Sequence, residues 1–455
     1  MQRLIVRDFM AVNQAELEVA NTLLLIGEQA SGKSTLAKLI YFFKSLRDEY
    51  VALLVDSDGP DLHLQRAFWA LIGKKFYRIF GSIQKLAKFD IKYYFSEQKH
   101  IHLCQGEFPD GRKKLVITIS GNDWYYELTQ GEGKRLLQQL HRYSEKRFDF
   151  ESAAYRRTLR DVASFTFRSF VDDTQTLVFH PAGRNATVAF NDFFEQAFSQ
   201  SLAVSIGTSD SYGEDEFSSP IPTSSATKLD KDIYLMYQFM RHVANIKTVF
   251  RGNDFESLIG DKIAREFNGS NSRGNPALPL LIAKVNQILK GTYDHSNYEK
   301  IKFDGGEVSL TDASSGQQEV IRILQDIFLV VLNKEKGCRI IEEPEAHLFP
   351  TAQKLLLEMI ALMINSTNSQ IVLTTHSPYI LSVINILLFT HQVKGKDDQL
   401  WLEPDQCRVY ALTSDGHCHS VLDTETKLID QNVLDSVSLE LANHFNRLYQ
   451  MFLET

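Results

Sequence analysis

Short apolar runs alternate with amphipathic stretches along most of the chain. Residues 4–9 and 17–19 are apolar runs broken by charges, which predicts the two strands of a hairpin. The continuously apolar residues 22–26 predict a buried strand, and residues 33–44 after them have helical character. Between residues 301 and 423, strands and helices alternate again. This pattern predicts an α/β core whose two parts come from opposite ends of the sequence.

A different pattern separates these two parts. In residues 51–126, aromatic residues alternate with basic ones, as in FDIKYYFSEQKHIHL, which predicts an inserted and mostly antiparallel sheet. Residues 132–175 favour helix, and residues 177–184 predict another buried strand followed by a turn. The apolar spacing of residues 228–251 and 276–290 predicts a helical arm.

These changes of pattern divide the chain into five segments. The expected segments are the first part of the core (1–60), a β-rich basic insertion (61–130), a helical segment (131–176), a core strand with the helical arm (177–300) and the second part of the core (301–455). Within the fourth segment, residues 205–227 are rich in Ser, Thr, Gly and Pro, which predicts a flexible loop.

The composition is that of a soluble globular protein, with 455 residues, 44% hydrophobic and 23% charged. No apolar run reaches the roughly 18 to 20 residues of a membrane span, and the opening MQRLIVRDFM lacks the apolar region of a secretory signal. The four cysteines are scattered, which is typical of reduced thiols. We therefore expect a cytoplasmic protein with no membrane partner.

The net charge of −8 does not by itself predict nucleic-acid binding. However, residues 66–114 contain 11 Lys and Arg against 4 Asp and Glu, a local charge of +7. A basic block within an acidic protein suggests a face for an acidic partner, either DNA or another protein. The solvated surface of a sheet would have the same composition, so both interpretations stay open.

Residues 27–34, GEQASGKS, form a complete GxxxxGK[ST] motif between a predicted strand and a predicted helix. The glycines permit a loop whose amide groups point at phosphate, and the helix start adds its dipole. Lys33 would supply a cation to the β and γ phosphates, and Ser34 a hydroxyl to Mg²⁺. The motif therefore predicts a site for ATP and Mg²⁺.

A pair of carboxylates follows the short apolar strand in CRIIEEPEAHL, residues 338–348. Phosphoryl transfer needs one group in the metal shell and another that polarises the attacking water. We assign Glu342 to the metal and Glu343 to the water. The alternative is an acidic turn that follows a strand by chance.

Two further motifs are weaker when each is taken alone. In LTDASSGQQ, residues 310–318, Ser314 and Gly316 stand at a predicted helix start, which can bind an anion or be a plain N-cap. In IVLTTHSP, residues 371–378, His376 ends an apolar strand, where it could sense the γ phosphate or be structural.

The four motifs, in this order, resemble the ABC ATPase family, and in detail its branch with RecF, the chromosome-maintenance (SMC) proteins and the OLD-type ATPases. The resemblance is strongest over residues 1–45 and 300–385. It implies an ABC-type P-loop NTPase core with Walker A at residues 27–35, the signature at 313–317 and Walker B at 339–343. It also implies a D-loop near residues 346–349 and a switch histidine at His376.

The same resemblance implies the roles of individual residues. Glu343, His376 and Lys33 would be catalytic, and Ser34 and Glu342 would hold Mg²⁺. The implied nucleotide-binding residues are Gly27, Ala30, Ser31, Gly32, Lys33, Ser34, Thr35, Ser314, Gly316 and Gln317. Because the signature would touch the nucleotide of the other protomer, a homodimer or higher homo-oligomer joined through the ATP sites is expected.

Several positions depart from the family pattern or stay open. Glu342 replaces the usual aspartate, and the EEPEAHL form is typical of the OLD-like branch. A Q-loop glutamine cannot be assigned, since the three candidates lie in the insertion. These are Gln65, Gln84 and Gln98. Phe9 could cover adenine or belong to the core, and Arg184 in HPAGR could have a catalytic or interface role.

The resemblance also guides the choice of function. OLD-type proteins often carry a Toprim nuclease, but no DxD at a strand end follows His376, and the DxD of residues 55–59 is predicted to be a loop. Stand-alone ATPases of this branch serve prokaryotic anti-phage systems, and those of PARIS, Septu and retrons are similar in plan. We therefore expect a slow ATPase that acts as sensor and scaffold. It would restrain a separate nuclease or toxin until DNA or a phage protein triggers release.

The motifs also allow comparison with two other classes of ATPase. A RecF-like DNA-repair ATPase would clamp DNA on the basic insertion. The ATPase subunit of a membrane transporter is disfavoured because the long inserts replace the compact helical subdomain that such subunits need.

Overall fold

A computed structural model describes residues 2–56, 62–120, 176–189, 228–266, 275–396, 398–429, 443–447 and 449–450. The strands are β1 (Gln2–Phe9), β2 (Val12–Val19), β3 (Thr22–Gly27), β4 (Asp90–Tyr94), β5 (His100–Glu107), β6 (Lys113–Ile119), β7 (Thr176–His180), β8 (Thr292–Asp294), β9 (Lys300–Phe303), β10 (Gly306–Ser309), β11 (Gly337–Glu342), β12 (Gln370–Thr375), β13 (Cys407–Leu412) and β14 (Cys418–Ser420).

The helices pack around these strands. They are α1 (Lys33–Asp56), α2 (Leu62–Phe80), α3 (Ala186–Ala189), α4 (Lys228–Phe250), α5 (Phe255–Glu266), α6 (Ala277–Leu289), α7 (Ser315–Asn333), α8 (Pro350–Thr367) and α9 (Pro378–Lys394). Two short 3₁₀ helices cover Leu310–Asp312 and Pro404–Gln406.

A six-stranded central sheet has the order β14-β13-β3-β12-β11-β7. All its strands are parallel except β14, which pairs antiparallel with β13. The N-terminal strand β3 lies between β12 and β13, so both parts of the chain build one sheet, as predicted. This mixed α/β architecture confirms the predicted fold class.

Residues of β3 alternate between two hydrophobic clusters. Leu23 and Leu25 pack with α1, α2 and the N-terminal strands, whereas Leu24 and Ile26 pack with α6 to α9. The central sheet is therefore covered on both faces, which explains why its strands are continuously apolar in the sequence.

A second sheet is antiparallel, with the order β2-β1-β4-β5-β6. It joins β1 and β2 of the first predicted segment to the strands of the basic insertion. The prediction of sheet over residues 51–126 is wrong in its first part, because α1 continues to Asp56 and α2 covers Leu62–Phe80. The buried Phe68, Ile72 and Phe76 of α2 have helical spacing, which the abundance of aromatic residues nearby obscured.

The helices predicted for residues 228–251 and 276–290 are confirmed as α4 and α6, with α5 between them, and β7 confirms the strand predicted within residues 177–184. Other predictions fall outside the described residues, namely the helix of residues 132–175, the loop of residues 205–227 and the DxD turn after Asp56. All four cysteines are free thiols. In the part of the chain that the structure covers, no helix has both the length and the apolar character needed to cross a membrane.

Candidate active site

Three of the predicted motifs meet at one edge of the central sheet. β3, β12 and β11 are neighbouring parallel strands, so their carboxyl ends lie side by side. The P-loop follows β3, the acidic pair ends β11, and His376 follows β12. The turn that contains Arg184 follows β7, which pairs parallel with β11, so this turn lies at the same carboxyl ends of the strands.

The P-loop folds around its own lysine. Ala30 and Gly32 have φ angles of 65° and 104°, and a side chain at Gly32 would also bring its Cβ within 2.8 Å of Val12 Cγ2. Lys33 Nζ donates hydrogen bonds of 2.6 Å to the carbonyl oxygens of Gly27 and Glu28. Burial lowers the pKa of Lys33, and nearby carboxylates oppose this shift. Bound phosphate would replace the two carbonyl acceptors with a charged partner.

The two residues predicted to hold Mg²⁺ are in contact. The side chain of Ser34 hydrogen-bonds to Glu342, and burial raises the pKa of that carboxyl group. Glu342 Oε1 is buried and has no hydrogen-bond partner among the described residues. A hydroxyl and a carboxylate are the hard oxygen donors that Mg²⁺ prefers, so this donor set fits the ion.

Glu343 differs from Glu342 in its accessibility. Its side chain is 39% exposed, and Oε1 lies 3.8 Å from Nδ1 of His376. Its backbone N–H donates a 2.9 Å hydrogen bond to the carbonyl of Thr374, and its φ of 46° turns the chain out of β11. The two neighbouring carboxylates therefore have different surroundings. Glu342 is buried, where it can bind a cation, and Glu343 is accessible to water.

Glu345 is a site residue that the sequence interpretation missed. It is buried, and its Oε1 accepts hydrogen bonds from Thr375 Oγ1 at 2.6 Å and from the His376 backbone N–H at 3.0 Å. The predicted switch histidine is therefore attached by its backbone to the loop after the acidic pair. The signal was present as the third glutamate of EEPEAHL, but only the contact gives it a role.

Arg184 lies behind the acidic pair. Its Nη1 donates to the carbonyls of Glu342 at 2.6 Å and Pro181 at 2.7 Å, and its Nη2 donates to the carbonyl of Glu343 at 3.0 Å. The side chain is fully buried, so in this conformation it touches the backbone of the acidic pair and has no exposed surface for a partner.

The signature segment lies at the start of α7, where it forms an N-cap, the simpler of the two predicted roles. Ser314 and Gln317 form a reciprocal capping box, in which the Ser314 backbone N–H donates to Gln317 Oε1 at 3.0 Å. A side chain at Gly316 would bring its Cβ within 2.5 Å of the His347 carbonyl, so this glycine permits close contact with the loop after the acidic pair. Contact with a second protomer's nucleotide stays a prediction.

Phe9 belongs to the hydrophobic core. It is fully buried, and its ring centroid lies 5.1 to 5.8 Å from those of Phe76, Phe80 and Phe89. Of its two proposed roles, covering adenine is therefore wrong, because the ring cannot be reached without opening the core.

A family model described as an AAA ATPase domain matches residues 1–219 and 221–381. No curated protein matches the chain. Among solved structures, the Smc head bound to the C-winged helix domain of ScpA is similar, with 12% identity over 92% of this chain and 96% of that chain and a TM-score of 0.37.

Two further solved structures are similar over most of their length. The SMC head domain from Thermotoga maritima is 11% identical over 84% of this chain and 90% of that chain, with a TM-score of 0.30. The recombination mediator protein RecF-ATPrS of the RecFOR pathway is 12% identical over 92% of this chain and 97% of that chain, with a TM-score of 0.32.

Proposed function

Because this chain belongs to the AAA ATPase domain family, we propose that it is an ABC-type ATPase that binds and slowly hydrolyses ATP between two copies of itself. The observation that carries the proposal is the meeting of Lys33, the acidic pair and His376 at the ends of three adjacent parallel strands. In open α/β sheets, ligands bind at the carboxyl ends of the strands.

Each group at this edge has a distinct part in hydrolysis. Lys33 would leave its two carbonyl acceptors and bind the β and γ phosphates, while the surrounding P-loop amides orient them. Ser34 and Glu342 would hold Mg²⁺, which when bound neutralises charge that develops on the phosphate oxygens. The exposed Glu343 would orient and deprotonate the attacking water, with the His376 ring beside it.

The remaining predicted nucleotide-binding residues fall into two groups. Ala30, Ser31 and Thr35 belong to the P-loop and the start of α1. Ser314, Gly316 and Gln317 belong to the start of α7, and we assign them to the nucleotide of the partner protomer. Ser314 is exposed at the N-terminal end of a 19-residue helix, where the helix dipole favours an anion. Phe349, at the end of the expected D-loop, is 74% exposed and offers an apolar contact to a partner protomer.

We place this ATPase in the cytoplasm as the sensor and scaffold of a prokaryotic anti-phage defence system. It would control a separate effector, a nuclease or toxin, and respond to DNA or a phage protein. The support is the resemblance of EEPEAHL to the OLD-like branch and the ATPase motifs at both ends of the matched region.

The alternative is a RecF-like DNA-repair ATPase, and one observation favours it. Lys74, Lys85 and Lys88 are exposed in the basic insertion, where they could bind a phosphate backbone. Lys75 is not part of this surface, because it is buried in a 2.7 Å ion pair with Glu49.

Two measurements separate these functions. The tagged chain is expressed with its neighbouring genes, and a defence role predicts that an effector protein co-purifies and changes its association when ATP is added. In the second, DNA binding and ATP turnover are measured over a range of salt for the wild type and for a variant with Lys74, Lys85 and Lys88 changed to Glu. If no effector co-purifies and DNA stimulates turnover in the wild type but not in the variant, the result would favour repair and contradict the effector model.

A further inference from the structure

A buried ion pair joins the acidic pair to the helix that carries the signature. Arg184 donates its backbone N–H to Glu319 Oε1 at 3.0 Å, and its Nη2 lies 3.2 Å from the same oxygen. The backbone N–H of Asn185 donates to Glu319 Oε2 at 2.6 Å. Both oxygens of this carboxylate are thus used, and both side chains of the pair are buried.

Glu319 lies one turn into α7, after the exposed Ser314 and the closely packed Gly316. A helix moves as a rigid element over such a short distance, so a shift at its start moves Glu319 as well. Through Arg184, Glu319 is connected to the carbonyl groups of Glu342 and Glu343. One continuous set of hydrogen bonds therefore links the signature to the acidic pair of the same protomer.

The surroundings of Arg184 make this connection stiff. Burial lowers the pKa of Arg184, whereas four surrounding carboxylates raise it. They belong to Glu319, Glu342, Glu345 and Glu343. A guanidinium that leaves the Glu319 carboxylate or the carbonyls of the acidic pair would be buried without a replacement, which is costly. A displacement of α7 therefore moves Arg184 and the backbone of the acidic pair, because water does not replace the buried contacts of Arg184.

We propose that Arg184 and Glu319 are positioning residues that couple the two ATP sites of the dimer. This inference rests on the ATP-linked dimer of the proposed function. In that dimer, the start of α7 completes the partner's site, while the acidic pair serves the protomer's own site. Nucleotide bound at the partner's site shifts α7, and Glu319 moves with the helix. Arg184 then shifts the peptide groups of Glu342 and Glu343, whose side chains act at the protomer's own site.

The test measures ATP turnover against ATP concentration for Glu319→Gln, which keeps the shape of the side chain and removes its charge. The wild type is expected to show a Hill coefficient above one, and the variant a value of about one. We expect kcat to fall roughly tenfold to a hundredfold while binding of a single nucleotide changes less than about threefold. Arg184→Lys keeps the charge but cannot hold both carbonyls and the carboxylate, so it should behave in the same way.

Arg322→Lys is the matched control. Arg322 is on the same helix and equally buried, but its guanidinium hydrogen-bonds to Glu299, at 2.7 Å from Nη2, and to Gln325 rather than to the acidic pair. This variant should lose thermal stability and keep the wild-type Hill coefficient.

Three results would overturn the coupling. They are a wild-type Hill coefficient of one, unchanged cooperativity and kcat in both Glu319→Gln and Arg184→Lys, or an equal loss of cooperativity in Arg322→Lys. Each of these leaves ATP turnover in the wild type and so spares the proposed ATPase. A wild type without ATP-linked dimers or turnover would refute the proposed function together with the coupling.

Discussion

The two large sheets of this protein differ in how they are covered and in what they carry. Strands β11 and β12 of the central sheet are buried at every position, whereas β5 of the antiparallel sheet alternates between buried and partly exposed residues. The predicted catalytic residues all follow strands of the central sheet. A sheet packed on both faces holds its strand ends in fixed positions, while a sheet with one open face offers a broad surface for contact.

Lys33→Ala has the largest expected effect and tests whether the chemistry belongs to the central sheet. Charge-assisted contacts worth about 2 to 3 kcal/mol would be lost, so ATP affinity should fall about thirtyfold to 150-fold and turnover should disappear. Equilibrium titration with labelled ATP measures this change. Lys92→Ala, the same substitution on the antiparallel sheet, should bind ATP like the wild type. Equal losses in both variants would contradict the assignment of the P-loop.

Glu343→Gln should separate binding from hydrolysis. Loss of the group that deprotonates water lowers kcat by about a hundredfold to ten-thousandfold, while ATP binding and the ATP-linked dimer persist. Phosphate release and size-exclusion chromatography with ATP provide the two readouts. Glu107→Gln, at the end of β5, is the control and should keep normal turnover. Normal turnover in Glu343→Gln would show that another residue is the base.

Equal truncations in the two sheets should destabilise the protein unequally. Ile340→Ala removes a fully buried side chain of β11 and should lower the free energy of unfolding by about 2 to 5 kcal/mol. Ile5→Ala removes a partly exposed side chain of β1, and about 1 kcal/mol or less is expected. Urea denaturation gives both values. If Ile5→Ala cost as much as Ile340→Ala, the open face of the antiparallel sheet would have to be covered in solution.

Acid should weaken the central sheet through His180, at the end of β7. Burial lowers the pKa of His180 to about 4, below its ordinary value of 6.5. Its neutral form therefore stabilises the fold fully above pH 6.5, and this contribution is lost as the pH falls towards 4. Between pH 7 and pH 5, the loss is about 2 kcal/mol. His180→Gln should flatten the pH dependence of unfolding by that amount, and an unchanged slope would rule out His180 as the cause.

The central sheet and its motifs could be predicted because their signals are local. A continuous apolar run predicts a strand such as β3 or β11, and the P-loop motif occupies consecutive residues. The helix α2 is harder to predict because its helical spacing lies beside a strongly alternating aromatic and basic stretch, and the alternating pattern dominates the region.

The rest of the site depends on contacts between residues that are far apart in sequence. Arg184 and Glu319 are separated by 135 positions, and nothing near either residue indicates the other. Glu345 stands in a recognised motif, but its role follows only from its hydrogen bonds to Thr375 and His376. Phe9 precedes the P-loop closely enough to suggest adenine contact, and only α2 and Phe89 show that it is enclosed.

The position of β3 between β12 and β13 also has a consequence for synthesis on the ribosome. β3 ends at Gly27, but its neighbours begin only at Gln370 and Cys407. At the usual rates of translation, roughly 20 to 70 seconds pass between them. Throughout that delay an apolar strand has no partner on either edge, which favours aggregation and slow folding. The nascent chain is therefore expected to depend on chaperones until its second half emerges.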